Sequence, residues 1–300
     1  MSPILVENIL SAFDERVNAS VSTELSAETY DNLVIDYFDE LPSTNRYLME
    51  RYRNSASPED FRACVANFQT AGVGRQGRKW QSIGQSVTFS IQMPLDLSMD
   101  QLGGLSLALG TAVIDCLQTL TRERLLLKWP NDVLAGNRKL SGILIESPGN
   151  FNGKQVLIIG IGINYAGMQE LTPMVDRPVI TLEQLVLEKD SNTTVLCDDE
   201  NDSRAANAPE LPPRDRLIGY LLADVSQTVR KFQHAGWQAF AQRFAVLDAL
   251  NGHEVSVSQA TKRAVGIARG VSDDGNLLVE IAGSVRSFAA GDVSLSHCSD

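Results

Sequence analysis

Apolar residues recur in several short runs along the chain, each closed by turn-forming residues, and these runs predict strands. The clearest is Gln155–Asn164, where Gly160 and Gly162 are set between isoleucines, and Leu33–Phe38, Ala63–Asn67, Ser86–Met93, Leu125–Trp129 and Ser141–Glu146 read the same way. Elsewhere the period lengthens. Leu41-Pro42-Ser43-Thr44 is a turn that supplies Ser43 or Thr44 as N-cap of a helix running to about Arg53. Gln101–Leu120 predicts a buried helix, and Leu217–Leu250 one or two amphipathic ones. After Asn251-Gly252 the pattern returns to short strands with tight turns, including Asp273-Asp274-Gly275-Asn276, which predicts a small β-barrel over residues 251–300. Residues 31–250 then form the main α/β (α+β) unit. Residues 1–30 read as a polar segment, a loose helix or tail. Between Glu188 and Asp215 the chain changes character, with six acids to one base from Glu188 to Asp202 and then Pro209, Pro212 and Pro213, as expected of a mobile acidic insertion over 188–215.

Composition narrows the class. With 300 residues, 43% hydrophobic and 21% charged, the chain can bury a full core, and its length favours a large domain plus a small one. The longest weakly polar stretch, Leu102 to Ile114, holds Gly103, Gly104 and Gly110 and is too short to span a bilayer. The first fifteen residues carry no Lys or Arg, so no signal peptide is expected. Cys64, Cys116, Cys197 and Cys298 form no CxxC pair, which suggests reduced thiols in a cytoplasmic protein. The net charge is −11, unevenly spread. Residues 1–40 carry nine acids against Arg16 alone, a sign that repels DNA. From Arg75 to Lys139 eight bases face five acids, which points to a local site for a small anion.

Four segments hold candidate chemistry. In Gly72-Val73-Gly74-Arg75-Gln76-Gly77-Arg78-Lys79-Trp80, glycines free backbone N–H groups to face a ligand and the basic side chains add positive charge. The segment also fits the dinucleotide pattern GxGxxG, with Asp96 beyond, but a phosphate loop of that kind must open a helix. Here Arg78–Gln85 is polar, contains Gly84 and leads into a strand, so that reading fails. Lys128-Trp129-Pro130-Asn131-Asp132 reads as a plain turn, or as a turn whose Lys and Asp serve phosphate and metal-bound phosphate. Lys139, in Arg138-Lys139-Leu140-Ser141-Gly142-Ile143-Leu144-Ile145-Glu146, starts a strand and reads as a solvated strand-end amine or as a site cation. Gly160-Ile161-Gly162-Ile163-Asn164 leaves one strand face bare, for tight sheet packing or for close approach of a ligand or backbone.

Taken in order, Ser43-Thr44-Asn45, Gln69 with the glycine-rich basic loop, KWPND, KLSGIL and GIGIN closely resemble the biotin–protein ligase family, as do Gly266–Gly270 and Gly291–Leu295 near the C-terminus. The resemblance covers roughly residues 33–298. It implies a class II aminoacyl-tRNA synthetase-like catalytic domain followed by an SH3-like β-barrel. It also implies a two-step reaction: biotin and ATP give biotinyl-5′-AMP and pyrophosphate, and a lysine of the biotin carboxyl carrier protein of a carboxylase then takes the biotin. Mg²⁺ is expected with ATP, its protein ligands unassigned, and a homodimer is allowed. By the same resemblance Arg75, Lys139, Lys128 and Asp132 are catalytic. Ser43, Thr44, Asn45, Gln69, Val73, Gly74, Arg75 and Lys139 bind biotin, and Arg75, Arg78, Trp80, Asn131, Asp132, Gly142 and Asn164 surround ATP or the adenylate. The loop Gln69–Gln85 is expected to be flexible when empty and to order over biotin, excluding water. Val73 stands where many members have Arg. Some members carry an N-terminal DNA-binding domain; the short acidic segment here implies a monofunctional ligase without operator binding. Lipoate ligases, which share the catalytic fold, are the nearest alternative, and a biotin sensor without turnover is a second.

Overall fold

The computed structural model describes residues 4–20, 33–55, 61–82, 85–167, 178–191, 211–259 and 262–295. Residues 21–30 of the N-terminal segment and 192–210 of the acidic insertion lie outside them.

Nine strands belong to the first part of the chain: β1 (Val34–Leu41), β2 (Arg62–Gln69), β3 (Gly72–Val73), β4 (Lys79–Trp80), β5 (Ser86–Leu95), β6 (Leu125–Lys128), β7 (Asp132–Ala135), β8 (Arg138–Phe151) and β9 (Lys154–Asn164). Seven of them make one sheet in the order β1-β2-β5-β9-β8-β7-β6, while β3 and β4 form a separate hairpin. Only β1 and β2 run parallel in that sheet, joined by the crossover helix α2 (Thr44–Asn54); every other pair is antiparallel. The strand predicted at Ser141–Glu146 is longer than expected, Arg138–Phe151, because β9 pairs with it along most of its length.

The two sheet faces are covered differently. Helix α2 packs on one face, where Leu48 meets Leu41, Cys64, Ala66 and Ile158. The other face meets α3 (Leu105–Gln118) and α5 (Arg214–Ala235), with Val65, Phe89, Ile91 and Ile159 in the main core. Helix α4 (Leu182–Ser191) and helix α6 (Gln238–Leu247) complete the layer. The polar N-terminal segment contains helix α1 (Val6–Ser20), and this helix is no loose tail. Ile9, Ala12, Phe13 and Val17 are buried against α5, and a Cβ on Gly219 of α5 would collide with Ala12 at 2.7 Å. Asn8 donates to Asp215 at 2.7 Å and Arg16 to Asp224 at 2.8 Å along the same seam.

Strands β10 (Glu254–Gln259), β11 (Lys262–Val271), β12 (Leu277–Ile281), β13 (Ser284–Phe288) and β14 (Asp292–Leu295) form an antiparallel sheet in the order β13-β12-β11-β10-β14, with Val255, Val257, Ala268, Leu277, Val279 and Val293 buried. Its β11–β12 turn is pressed against the layer built on the large sheet. Trp129 Nε1 donates to the Gly275 carbonyl at 3.1 Å. A Cβ on Gly275 would lie 2.5 Å from the Gly104 Cα, so glycine is required there by space as well as by its φ of +72°.

Candidate active site

A cavity of about 310 Å³ opens between the α2 face of the large sheet, the β3–β4 hairpin and β14 of the C-terminal sheet. Its floor begins at the N-terminus of α2. Ser43 is the N-cap, with its hydroxyl accepting from Arg46 N at 3.5 Å, so Thr44 and Asn45 are the first helical residues. Thr44 N donates to Gln69 Oε1 at 2.8 Å, which ties the helix start to the end of β2. Ser90 of β5 contacts Thr44 Oγ1 at 2.6 Å and also Asn45 Oδ1, while Asn45 Nδ2 donates to Glu146 Oε2 at 2.8 Å. Ser43, Thr44, Asn45, Gln69 and Ser90 are all buried, and each of these polar side chains finds a partner, as burial requires.

The bare face of β9 has a definite use. A Cβ on Gly162 would lie 2.5 Å from the Trp80 ring, and one on Gly160 would strike Asn45 Oδ1. The Trp80 ring and the Asn45 side chain therefore pack close to these glycines, which also line the cavity.

One wall comes from KWPND and the start of β8. Lys128 and Asp132 face each other across the β6–β7 pair. Asn131 occupies the turn, its side chain donating to the Ile143 carbonyl at 2.7 Å. Lys139 corrects the reading of a solvated strand end: it is 8% exposed and its Nζ forms an ion pair with Asp132 Oδ1. Its backbone is held by a parallel bridge to Val179, in which Lys139 N donates to the Pro178 carbonyl at 2.9 Å, while Asp132, Gly142 and Trp80 close around its amine. Lys139 Nζ also stands 5.9 Å from the centre of the Trp80 ring and would meet a Cβ on Gly142 at 2.9 Å.

The glycine-rich segment is a short hairpin folded over the cavity, with a 3₁₀ turn at Arg75–Gly77 and no long helix after it. Gln76 and Gly77 take positive φ, 55° and 74°, and Gly74 N donates to the Arg78 carbonyl at 2.7 Å. Arg75 is half-buried, and desolvation pulls its pKa below the usual guanidinium value, against the carboxylates of Asp292 and Asp132. A partly dehydrated guanidinium is stabilised by an arriving anion.

Of the residues singled out in the sequence, Ser43, Thr44, Asn45, Gln69, Val73, Gly74, Arg75, Arg78, Trp80, Lys128, Asn131, Asp132, Lys139 and Gly142 line this single cavity. Asn164 does not. Its amide donates to the Lys139 carbonyl at 3.0 Å and fixes the end of β9 to the start of β8. Sequence reasoning missed Asp292, Val293 and Ser294, which line the cavity from the C-terminal sheet, with Asp292 in an ion pair with Arg78. It also missed Ser90 and Glu146, although Ser90 carried a signal, being a small hydroxyl on the polar side of a strand that alternates polar and apolar residues.

Fold and site together define one cavity with a buried hydrogen-bonding floor, a wall that carries Lys128 and Lys139, and a basic hairpin over both. The biotin/lipoate A/B protein ligase family model matches residues 37–164, and the biotin protein ligase C terminal domain model matches residues 252–296. The bifunctional ligase/repressor BirA of Escherichia coli is 30% identical over 256 residues, 85% of this chain and 72% of that protein. The biotin–[acetyl-CoA-carboxylase] ligase of Mycobacterium tuberculosis is 29% identical, over 86% of this chain and 88% of that relative. The structure of the biotin protein ligase from Aquifex aeolicus in complex with biotin and ATP aligns with a TM-score of 0.68 at 25% identity, covering 89% of this chain and all of that one. The chain belongs to the biotin protein ligase family.

Proposed function

We propose that this chain activates biotin with ATP, giving biotinyl-5′-AMP and pyrophosphate, and transfers the biotin to a lysine of the biotin carboxyl carrier protein of a carboxylase. The observation that carries the reading is the convergence on one cavity of a buried amide-and-hydroxyl floor with Arg75, Arg78, Lys128 and Lys139. A carboxylate and a polyphosphate repel each other, so cations must hold the two anions together while charge develops at phosphorus. In this reading Ser43, Thr44, Asn45 and Gln69 take the ureido ring, and Val73 and Gly74 lie along the biotin. Arg75 and Lys139 hold the carboxylate and then the adenylate, with Lys139 oriented by Asp132. Arg78 and Lys128 steady the phosphates. Trp80, Asn131 and Gly142 border the nucleotide; Asn164 acts on the same region through the Lys139 carbonyl. The hairpin closes the cavity against water while the mixed anhydride awaits its amine.

Mg²⁺ is proposed as the partner of ATP, carried on the phosphates with most of its waters. Among the described residues no cluster of three or more His, Cys, Asp or Glu is placed to hold a metal ion, and the cavity carboxylates Asp132 and Asp292 are engaged by Lys139 and Arg78. No protein step is assigned to the metal.

No helix among the described residues is long and apolar enough to cross a membrane. The reading puts the reaction in the cytoplasm, where ATP and the carboxylase meet, assigns no DNA-binding step to the acidic N-terminal segment, and leaves self-association as a homodimer to sedimentation analysis. The deciding experiment is exchange of labelled pyrophosphate into ATP, with biotin or lipoate, for the unaltered chain and Lys139→Ala. Biotin-dependent exchange that collapses in the variant is expected. Exchange with lipoate alone would move the protein to the lipoate branch, and none with either would make it a binding protein.

A further inference from the structure

The cavity is lined for anions, yet the last substrate of the proposed reaction arrives as a cation. Arg75, Arg78, Lys79, Lys128 and Lys139 line it against two carboxylates, Asp132 and Asp292. Once pyrophosphate has left, a single adenylate phosphate faces these cations, and the ε-ammonium of an acceptor lysine meets a repelling field. We propose that Asp292 binds that ammonium, taking it in place of Arg78 once a phosphate engages the arginine. The inference rests on the two-step reaction proposed above.

The two carboxylates are not equivalent. Asp132 is committed to Lys139 in an ion pair whose side chains are only 10% and 18% exposed. Asp292 pairs with Arg78 at the open side of the cavity, where both side chains keep water, and such a pair exchanges partners readily. The two partners also stand on different supports. Arg78 belongs to the β3–β4 hairpin, whereas Asp292 lies on β14, opposite Ser258 of β10. The sheet that carries it is seated on the large layer by the Trp129–Gly275 bond and by Gly103, where a Cβ would meet the Asp274 carbonyl oxygen at 2.5 Å. When the hairpin shifts, Arg78 leaves and the carboxylate stays. Asp292 also acts through space on Arg75, the residue assigned to the biotin carboxylate, so an ammonium held there stands close to the carbonyl that it must attack.

The transfer balances with Asp292 in this place. The lysine enters as an ammonium, and one proton leaves by way of the Asp292 carboxylate to solvent. The freed lone pair forms the C–N bond to the biotinyl carbonyl carbon. The bond from that carbon to the phosphate oxygen breaks, its electron pair leaves with AMP, and a second proton passes from the nitrogen to solvent.

The test supplies synthetic biotinyl-5′-AMP to the chain in stoichiometric amount, so that adenylate formation drops out. Single-turnover transfer is then followed to three acceptors: the biotin carboxyl carrier domain, propylamine, which is an ammonium at neutral pH, and hydroxylamine, which is uncharged there. In Asp292→Asn, transfer to the carrier domain and to propylamine should slow by about tenfold or more, the lower end of what charge steering supplies, with hydroxylamine within about twofold. Asp292→Glu keeps the charge and should recover most of the rate, and the deficit of Asp292→Asn should shrink as salt is raised. Equal slowing for all three acceptors would show that Asp292 only shapes the site. Slowing confined to the carrier domain would place Asp292 against the carrier surface and not its lysine, and no slowing would give it no part in transfer; each of these results overturns the inference. A lack of biotin-dependent pyrophosphate exchange in the unaltered chain would instead remove the reading of the site itself, and it is seen before any variant is compared.

Discussion

The floor and the lid of the cavity hold their polar groups by opposite means. On the floor, Thr44, Asn45, Gln69 and Ser90 are buried and joined to one another and to Glu146 before any ligand arrives. On the lid, Arg78 and Lys79 are exposed, and Arg78 reaches Asp292 through an ion pair whose side chains remain 52% and 36% exposed. A buried network loses much when one member is removed, because the others cannot turn to water. An exposed ion pair contributes little and exchanges partners easily, which suits the phosphate contact proposed for Arg78. In the proposed function the floor recognises the ring, and the exposed, weakly held lid is the part suited to opening and closing.

Four substitutions separate the two regions. Lys139→Ala should have the largest effect, because Lys139 stands where floor, wall and lid meet and its loss removes the cation that pairs with Asp132 and faces the Trp80 ring. Pyrophosphate exchange should fall by about 10³-fold, on the scale of removing a charge-stabilising group from a closed site. Gln69→Ala leaves the Thr44 N–H unpaired, which costs about 1–3 kcal/mol. The biotin KM should rise by about 10- to 100-fold with kcat little altered, and a change in kcat alone would break the division of labour drawn above. Arg78→Ala should raise the KM for ATP by about tenfold and leave the biotin KM within about twofold. Asp292→Ala should have the smallest effect on stability, less than about 1 kcal/mol by thermal unfolding. If the lid exchanges partners as described, cleavage of the Gln69–Gln85 segment by trypsin should be faster in this variant and slow again when biotin and ATP are added.

Much of the site was readable because its residues sit in short runs on strand ends, where local pattern and position coincide. KWPND closes β6 and opens β7, and Ser43-Thr44-Asn45 opens α2. What escaped depended on contacts between distant segments. Lys139 is enclosed by the Trp80 ring and its backbone is bridged to Val179, forty residues on, and nothing near Lys139 announces either. Asp292 joins Arg78 across 214 positions. Helix α1 was within reach: Ile9, Ala12, Phe13 and Val17 follow helical spacing. The charged run Asp14-Glu15-Arg16 set among them hid a stripe that has meaning only against α5. Residues 192–210 contribute nothing to this comparison, since that part of the acidic insertion lies outside the described residues.

The two glycines on the bare face of β9 give the site an unusual vulnerability. Most active sites are lost when atoms are removed; this one can be lost by adding them. A single methyl at position 162 would displace the Trp80 ring, and one at 160 would push Asn45 off Glu146 and Ser90, with every charged group still in place. Sequence variation at these positions is therefore restricted from the side of volume, and a chain that gained alanine at either one would keep its charges and its fold while losing the shape that lets them act on a ligand.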